Sequence, residues 1–135
     1  MGKASRKGAR GTMKLFDLLK ERLVNAGEEK KATHLKVYDV KESSSLTDCI
    51  IVMGVRTTVQ CRAVVRELQD QFSQLKKYPE LQDEAEHPKK SGAVDSGWVV
   101  LDFGSIIVHV ILEELREYYE LDPLFERRAV VYHRS

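Results

Sequence analysis

The hydrophobic residues of this 135-residue chain first recur at helical spacing, beginning after Thr12. One apolar stripe with steps of three to four residues predicts a first helix. Its members are Leu15, Leu18, Leu19 and Leu23. Gly27 is placed to end that helix in a left-handed cap. Thr57 or Thr58 is expected to cap a second helix. Its inward positions are Val64, Leu68, Phe72 and Leu75.

Other segments carry the patterns of strands. Residues 35–40 alternate between apolar and polar positions, which is typical of a strand. Residues 49–53 are apolar without alternation, as in a central strand covered on both faces, and Gly54 is expected to end it. Residues 98–103 and 106–112 flank a tight Gly-Ser turn, which predicts a β-hairpin.

The remaining segments complete a fold prediction. Residues 113–119 indicate a short helix that Pro123 ends, and residues 78–97 indicate a long surface loop. Residues 129–132 either add a late edge strand or stay loose. The order of helix, strand, strand, helix, hairpin and helix predicts the α/β fold class. We expect a single domain with a mixed β-sheet flanked by helices.

Charge changes this picture mainly at the N-terminus. Lys and Arg number 22 against 21 Asp and Glu, so a formal net charge of +1 argues against binding nucleic acid through a general basic field. Residues 1–12 nevertheless form a basic leader that we expect to be disordered. The cations before the first acid, Asp17, are Lys3, Arg6, Lys7, Arg10 and Lys14. An RNA contact, a targeting remnant and a solvated tail all remain open for the leader.

Catalytic and metal-binding patterns do not emerge from the sequence. Cys49 and Cys61 match no zinc or redox motif, which favours reduced cysteines in a reducing compartment. The four histidines share no metal-ligand spacing. Gly104 and Ser105 follow a strand as in a nucleotidyltransferase site, but no carboxylate pair follows them to hold metal ions. We therefore expect neither enzyme activity nor a cofactor. No apolar run approaches the roughly 20 residues of a membrane span.

The predicted hairpin presents residues suited to a binding surface. Trp98, Val100 and Asp102 share one strand face, Val99, Leu101 and Phe103 share the other, and only one of the two faces can be the deep core. His109 in the second strand is either a half-buried histidine bonded to backbone or a recognition residue. Arg116 and Tyr119 cluster beyond the hairpin, and Trp, Tyr and Arg often anchor protein interfaces. Ordinary aromatic packing is the alternative explanation of this cluster.

Five short motifs in a fixed order carry a family resemblance. They are Val-Tyr-Asp-Val at 37–40, Ser-Ser-Leu-Thr-Asp-Cys-Ile-Ile-Val at 44–52, Gly-Trp-Val-Val-Leu-Asp-Phe-Gly at 97–104, Val-His-Val at 108–110 and Arg-Glu-Tyr-Tyr-Glu-Leu at 116–121. Together they resemble the ribosomal silencing factor family, also called Iojap-like proteins, over residues 14–125. We therefore expect residues 13–126 to form the family domain and residues 127–135 a C-terminal tail.

The resemblance implies a nucleotidyltransferase-like topology without that superfamily's active site. It further implies binding to the large ribosomal subunit through ribosomal protein L-fourteen, which blocks subunit joining and represses translation. The partner-binding residues that the motifs match are Trp98, Asp102, His109, Arg116 and Tyr119. The chain departs from the family pattern at four places, which affect the expected contacts more than the fold. They are Arg56, Ser91, Ser105 and Phe125.

Four further expectations accompany this resemblance. A large-subunit assembly adaptor, which contacts rRNA through the basic leader, is the first alternative function. A nucleotidyltransferase-type enzyme with a metal between Asp48 and Asp102 is the second and weaker one. Because an exposed aromatic cluster is costly in water, we expect a homodimer when the protein is free. The expected location is the bacterial cytoplasm or an organelle.

Overall fold

The computed structural model describes residues 2–76, 78, 88–127 and 130–133. These residues form one sheet of six strands and four α-helices. The helices are α1 (Gly2–Glu29), α2 (Thr58–Leu75), α3 (Glu113–Tyr118) and α4 (Leu121–Glu126). The strands are β1 (Thr33–Asp39), β2 (Cys49–Val55), β3 (Lys89–Ser91), β4 (Trp98–Asp102), β5 (Ile106–Leu112) and β6 (Val130–His133). The predicted α/β class is confirmed.

The sheet is mixed, with the strand order β3-β4-β5-β2-β1-β6. The central strands β2 and β5 run parallel, and the other neighbours in the sheet pair antiparallel. A parallel pair requires a crossover connection, and α2 supplies the helix in it. Strand β2 is buried along nearly its whole length, as its non-alternating apolar sequence predicts for a central strand.

Helices α1 and α2 cover one face of the sheet and form the larger core with it. The helical stripes predicted from spacing contribute Leu15, Leu19, Leu23, Val64, Leu68, Phe72 and Leu75, all of them buried. Alternate residues of β4 and β5 meet these stripes, including Val99, Leu101, Val108 and Val110. Burial of each such side chain contributes about 2 kcal/mol to folding, so this core provides the main driving force.

Helices α3 and α4 cover part of the opposite face and form a smaller core there. Its buried members are Tyr38, Val40, Val52, Ile111 and Leu121. Ile50, Trp98, Leu115 and Phe125 pack against it and stay partly accessible. The sheet therefore has one fully covered face and one partly covered face.

The helix-capping prediction at Gly27 was wrong. Gly27 lies inside α1, and the left-handed residue after the helix is Lys31, with φ of 65°. A Cβ at Gly27 would lie only 2.6 Å from Sδ of the buried Met53. The glycine is therefore required for the close approach of α1 to β2 and not for a turn. The capping prediction at Thr57 is confirmed, since its side chain accepts a hydrogen bond from the Gln60 N–H at 3.0 Å.

Two predicted element ends also differ from the structure. Gly54 lies within β2 instead of ending it, opposite Thr33 of β1. Pro123 lies in the first turn of α4 instead of ending a helix. Proline is tolerated there because the first-turn N–H groups of a helix have no partner within the helix.

Both terminal segments contain regular secondary structure in their described residues. Helix α1 begins at Gly2, so the backbone of the basic leader is helical, whereas we predicted disorder for it. Its Ala, Lys and Arg residues have high helix propensity, whereas each of its glycines costs about 1 kcal/mol in a helix. At the other end, β6 pairs antiparallel with β1, which is the edge-strand alternative for the tail. The predicted 78–97 loop contains β3 and a 3₁₀ turn, Val94–Ser96, while its residues 79–87 lie outside the described residues.

Candidate partner-binding surface

Strand alternation sets which hairpin residues reach the partly covered face. In β4, Val99 and Leu101 point into the larger core, so Trp98 and Asp102 lie on the opposite face and are half-buried. In β5, His109 lies on this same face and is half-buried as well. The predicted division of the hairpin between two faces is confirmed.

Aromatic side chains form a connected cluster on this face. We define the aromatic surface as Trp98, His109, Tyr118, Tyr119 and Phe125. Trp98 packs against Tyr119 with ring centroids 5.5 Å apart, and Tyr119 meets Tyr118 edge-on at 4.9 Å. His109 lies 6.0 Å from the Trp98 ring and 5.3 Å from the Phe125 ring. The hairpin and the α3–α4 segment therefore build the surface together.

Part of the aromatic surface is exposed to solvent. Tyr118 is 76% exposed, Tyr119 56% and the neighbouring Leu124 47%. Trp98 and Phe125 lie beneath them, half-buried against the smaller core. A contiguous patch of large apolar side chains that remains accessible is typical of an interaction site. Of the predicted site residues, Trp98, His109 and Tyr119 are the ones that the structure brings together in this patch.

A hydrogen bond links the indole and the imidazole of this surface. The Trp98 Nε1–H donates to Nδ1 of His109 at 3.1 Å. Burial lowers the pKa of His109 to about 4, so the ring is neutral near pH 7. With Nδ1 accepting, the proton of the neutral ring is on Nε2. One alternative expected a half-buried histidine bonded to backbone. His109 is half-buried, but its hydrogen-bond partner is the side chain of Trp98.

Arg116 does not belong to the exposed surface, which corrects its assignment as a partner contact. Its side chain is only 7% exposed and binds Asp122 through two hydrogen bonds, from Nε at 2.6 Å and from Nη2 at 2.8 Å. Nη2 of Arg116 also donates to the carbonyl oxygen of His34 at 2.8 Å. The guanidinium is thus fully engaged inside the protein, where it joins α3, α4 and β1.

The carboxylate of Asp122 is the centre of this internal network. Burial alone would raise the pKa of Asp122, but hydrogen bonds from Arg116 and Tyr38 outweigh burial and hold it at about 2. The Tyr38 hydroxyl donates to Asp122 Oδ2 at 2.5 Å. Burial and this bond together raise the pKa of Tyr38. Both partners therefore stay in one charge state at physiological pH.

A second carboxylate, Glu113, connects α3 to the start of β1. The Thr33 hydroxyl donates to Glu113 Oε2 at 2.6 Å, and His34 Nδ1 lies 2.5 Å from the same oxygen. Burial would raise the pKa of Glu113, but these bonds and the charge of Arg116 lower it. An open cleft of about 640 Å³ lies between these groups, and Arg116 in its wall pairs with both Glu113 and Asp122.

Asp102 has a local role in the hairpin. Its Oδ1 accepts a hydrogen bond from the Gly104 N–H at 2.8 Å, and Gly104 adopts φ of 91°. Such an aspartate-centred turn stabilises the reversal between β4 and β5. The carboxylate is half-buried and lies apart from the aromatic contacts described above. Its contribution to partner binding stays a prediction.

The described residues form neither a metal centre nor a membrane-spanning helix. Among the residues whose side chains are described, no three His, Cys, Asp or Glu side chains converge as metal ligands. Within the described part of the chain, no helix combines the length and the apolarity that crossing a bilayer requires. Cys49 and Cys61 are buried and unpaired, and burial raises the pKa of Cys49 to about 12. They are packing residues, as predicted.

The sequence interpretation missed several residues that build this site. Tyr38 and Asp122 meet although 84 positions separate them. His34 contributes its backbone carbonyl to Arg116 and its ring Nδ1 to Glu113. No spacing rule connects such residues.

The fold and the aromatic surface together define the class of protein. The chain is a small mixed-sheet α/β domain with an aromatic surface on one sheet face and a buried Arg–Asp network that supports it. Residues 16–134 match the model of the family described as "Ribosomal silencing factor during starvation". The match spans most of the chain, and the chain belongs to this family.

Individual relatives agree with the family match. The ribosomal silencing factor RsfS of Haemophilus influenzae is 30% identical over 95 residues, which are 70% of this chain and 85% of that protein. RsfS of Bacillus subtilis is 26% identical over 100 residues, 74% of this chain and 78% of that protein. "Mitochondrial assembly of ribosomal large subunit protein 1" of Mus musculus is 28% identical over 114 residues, 84% of this chain but 47% of that protein.

Two solved structures share the fold. A crystal structure of a Chromobacterium violaceum protein matches with a TM-score of 0.68 at 23% identity and covers 80% of this chain and 83% of that chain. A crystal structure from Bacillus halodurans matches with a TM-score of 0.60 at 26% identity, over 78% of this chain and 91% of that chain. The mixed sheet with helices on both faces is thus an arrangement found in experimentally solved proteins.

Proposed function

We propose that this protein is a ribosomal silencing factor that binds the large ribosomal subunit and blocks its joining to the small subunit. Family membership and the names of its relatives support this function. The observation that carries the proposal is the exposed aromatic surface, with Tyr118 76% and Tyr119 56% accessible. Blocking a docking site requires a stable surface and no turnover, so the proposed activity is not enzymatic.

The proposed contact on the ribosome is a protein, ribosomal protein L-fourteen. Three exposed carboxylates flank the exposed tyrosines on α3 and the following turn: Glu114, Glu117 and Glu120. Among the described side chains, no hydrogen bond or ion pair engages these three carboxylates. Negative charge repels rRNA phosphates and attracts lysine and arginine side chains. This charge distribution favours a basic protein surface over RNA as the partner of the aromatic surface.

The basic leader is the proposed site of a secondary rRNA contact. Removal of residues 1–11 eliminates four cations, Lys3, Arg6, Lys7 and Arg10. Each lost phosphate contact lowers the slope of log affinity against log salt by about 0.7–0.9. We expect the truncated protein to bind large subunits with a clearly flatter salt dependence in sedimentation assays from low to high salt. An unchanged slope would identify the leader as a solvated tail.

A role in large-subunit assembly is the second candidate function. The name of the Mus musculus relative describes assembly of the mitochondrial ribosomal large subunit, and this chain spans about half of that protein. The aromatic surface is the proposed contact in both functions, so the two functions differ in the particle that is bound. Co-purification with incomplete large subunits would favour assembly, whereas co-purification with mature free large subunits would favour silencing. The location follows the ribosome concerned, in a bacterial cytoplasm or an organelle.

Sedimentation with isolated large subunits tests the proposed binding. Wild-type protein should co-sediment, and Trp98→Ala should weaken binding about thirtyfold, since a desolvated interface anchor contributes roughly 2 kcal/mol. Leu46→Ala is the matched control, because Leu46 is 85% exposed in the loop between β1 and β2, outside the aromatic surface. The control should bind like wild type. Failure of the wild type to co-sediment would rule out this function.

Subunit joining and catalysis are tested separately. Pre-incubation of large subunits with the protein should reduce 70S-type particles formed on addition of small subunits, and Trp98→Ala should restore them. Calorimetry with magnesium and a nucleotide should give no heat of binding. A saturable signal that Asp48→Asn and Asp102→Asn abolish would instead support the nucleotidyltransferase alternative.

A further inference from the structure

The bond between Trp98 and His109 is an unusual contact for an interface tryptophan. Nε1 of Trp98 donates to Nδ1 of His109 at 3.1 Å, and the two rings are held 6.0 Å apart at an interplanar angle of 45°. An indole at a surface usually keeps its N–H in water or gives it to a partner. Here the N–H is already used within the protein, so the indole meets a partner through its ring and not through its donor.

The position of the imidazole is fixed from several sides. Val52 of β2 and Val100 of β4 are its register neighbours across the sheet, and Phe125 of α4 contacts its ring at 5.3 Å. These neighbours are apolar and carry no charge that would attract a proton to the ring. Burial lowers the pKa of His109 to about 4, which keeps Nδ1 available as an acceptor at neutral pH.

The Trp98 indole touches residues of two kinds. Tyr119, 56% exposed, lies on its outer side at 5.5 Å, whereas the smaller core lies beneath it. Without a fixed hydrogen bond, a half-buried ring between an exposed tyrosine and a core has several accessible rotamers. Ordering such a side chain on binding costs free energy, which a pre-formed orientation avoids.

We propose that His109 is a positioning residue, whose neutral imidazole holds the Trp98 indole in the orientation in which it meets the partner. This inference rests on the proposed function, because it assumes that Trp98 belongs to the ribosome-binding surface. His109 itself does not need to touch the partner. Its contribution to affinity passes through Trp98, so the bond should be detectable in the free protein.

The free protein gives a direct spectroscopic test of the bond. The chain contains one tryptophan, so its indole N–H gives a single, unambiguous signal in an NMR spectrum of ¹⁵N-labelled protein. An N–H···N hydrogen bond transmits a coupling between its two nitrogens, and we expect one between Trp98 Nε1 and His109 Nδ1 at pH 7. Absence of this coupling, with an indole N–H that exchanges as fast as a free one, would overturn the proposal.

Two substitutions separate positioning from simple filling of space. His109→Asn keeps an acceptor atom at the δ position, whereas His109→Leu fills the site but removes the acceptor. If the bond positions Trp98, the leucine variant should bind large subunits about tenfold more weakly, and the asparagine variant within about threefold of wild type. If His109 only fills apolar space, the order should be reversed, since leucine suits an apolar site better.

Controls keep the outcomes distinct. Thermal unfolding identifies temperatures at which both variants are folded, and binding is compared only there. Equal binding by His109→Leu and wild type would overturn the proposal. If the wild type itself fails to co-sediment, the proposed function fails, whereas the nitrogen–nitrogen coupling still decides whether His109 orients Trp98.

Discussion

Burial of a single histidine makes the stability of this protein depend on pH. His109 has a pKa of about 4 in the folded protein, against about 6.5 for an unperturbed histidine. Between these values the unfolded chain binds more protons than the folded one, so stability rises with pH. The contribution of His109 is therefore complete above about pH 6.5 and is lost as the pH falls towards 4.

We expect acidification from pH 7.5 to 4.5 to reduce the free energy of unfolding by about 2 kcal/mol through His109 alone. Urea denaturation at intermediate pH values measures this loss, and His109→Asn should remove most of it. The lowered pKa of Asp122, about 2, acts in a separate window below about pH 4. Identical pH profiles for wild type and His109→Asn would contradict the assignment.

At the level of elements, one ion pair holds the aromatic surface in place. Arg116 in α3 binds Asp122 in α4 and the His34 carbonyl in β1, so three elements meet at one guanidinium. Helices α3 and α4 have only six residues each, which is too short for stability on their own. Helix α3 ends at Tyr118 and Tyr119 follows it directly, so the position of the two tyrosines depends on this network and on the smaller core.

We expect Arg116→Ala to lower the free energy of unfolding by about 3 kcal/mol, because it leaves the buried Asp122 charge without its partner. Asp122→Asn on this background should recover part of the loss, since it removes the uncompensated charge. Arg62→Ala is the control, because the Arg62–Asp95 pair is exposed and 3.6 Å long. The control should change stability by less than about 0.5 kcal/mol in urea denaturation. Similar losses for the two variants would contradict the structural role of Arg116.

For the molecule as a whole, the exposed aromatic surface predicts self-association. Two copies related by a two-fold axis would cover each other's tyrosines when no ribosomal partner is present. Light scattering should show a mass that falls from dimer towards monomer on dilution. Replacement of Tyr118 and Tyr119 by serine should shift the protein to monomer. A strict monomer at high concentration would contradict this prediction.

Self-association and ribosome binding are both predicted to use the aromatic surface, so the two interactions are expected to compete. If the dimer contact and the ribosome contact overlap, large subunits compete with self-association and shift the population to the ribosome-bound monomer. Added large subunits should then dissociate the dimer in proportion to the sites supplied. Binding of an intact dimer to the large subunit would show instead that the two surfaces are separate.

Periodicity along the chain predicted most of the helices and strands. The stripe from Val64 to Leu75 and the alternation around Trp98 and His109 follow from the fixed repeats of helix and strand, 3.6 and 2 residues. A repeat of hydrophobic residues is a local property, so it can be read without knowing which elements meet. The predicted contact residues Trp98, His109 and Tyr119 were found together because strand alternation and helix spacing place them on one side.

Single residues with special roles were misread where those roles depend on distant neighbours. Gly27 looked like a helix cap, but it is required because Met53 lies across from it. Arg116 looked like an interface residue because arginine is common there, and its burial depends on Asp122 and on the His34 carbonyl. Residue type and spacing are compatible with both the predicted and the observed roles of these residues. Only the neighbours that pack against them in the fold distinguish the two roles.

Local order in the sequence thus sufficed for most of the elements, the two faces of the hairpin and the family motifs, because each depends on residues close together in the chain. Folding decided which face of the sheet remained open, which charges were neutralised inside and which aromatic rings touched. Those outcomes arise from contacts between residues as far apart as Tyr38 and Asp122, 84 positions along the chain. Only the packed structure brings such residues within the few ångströms over which hydrogen bonds and ring contacts act.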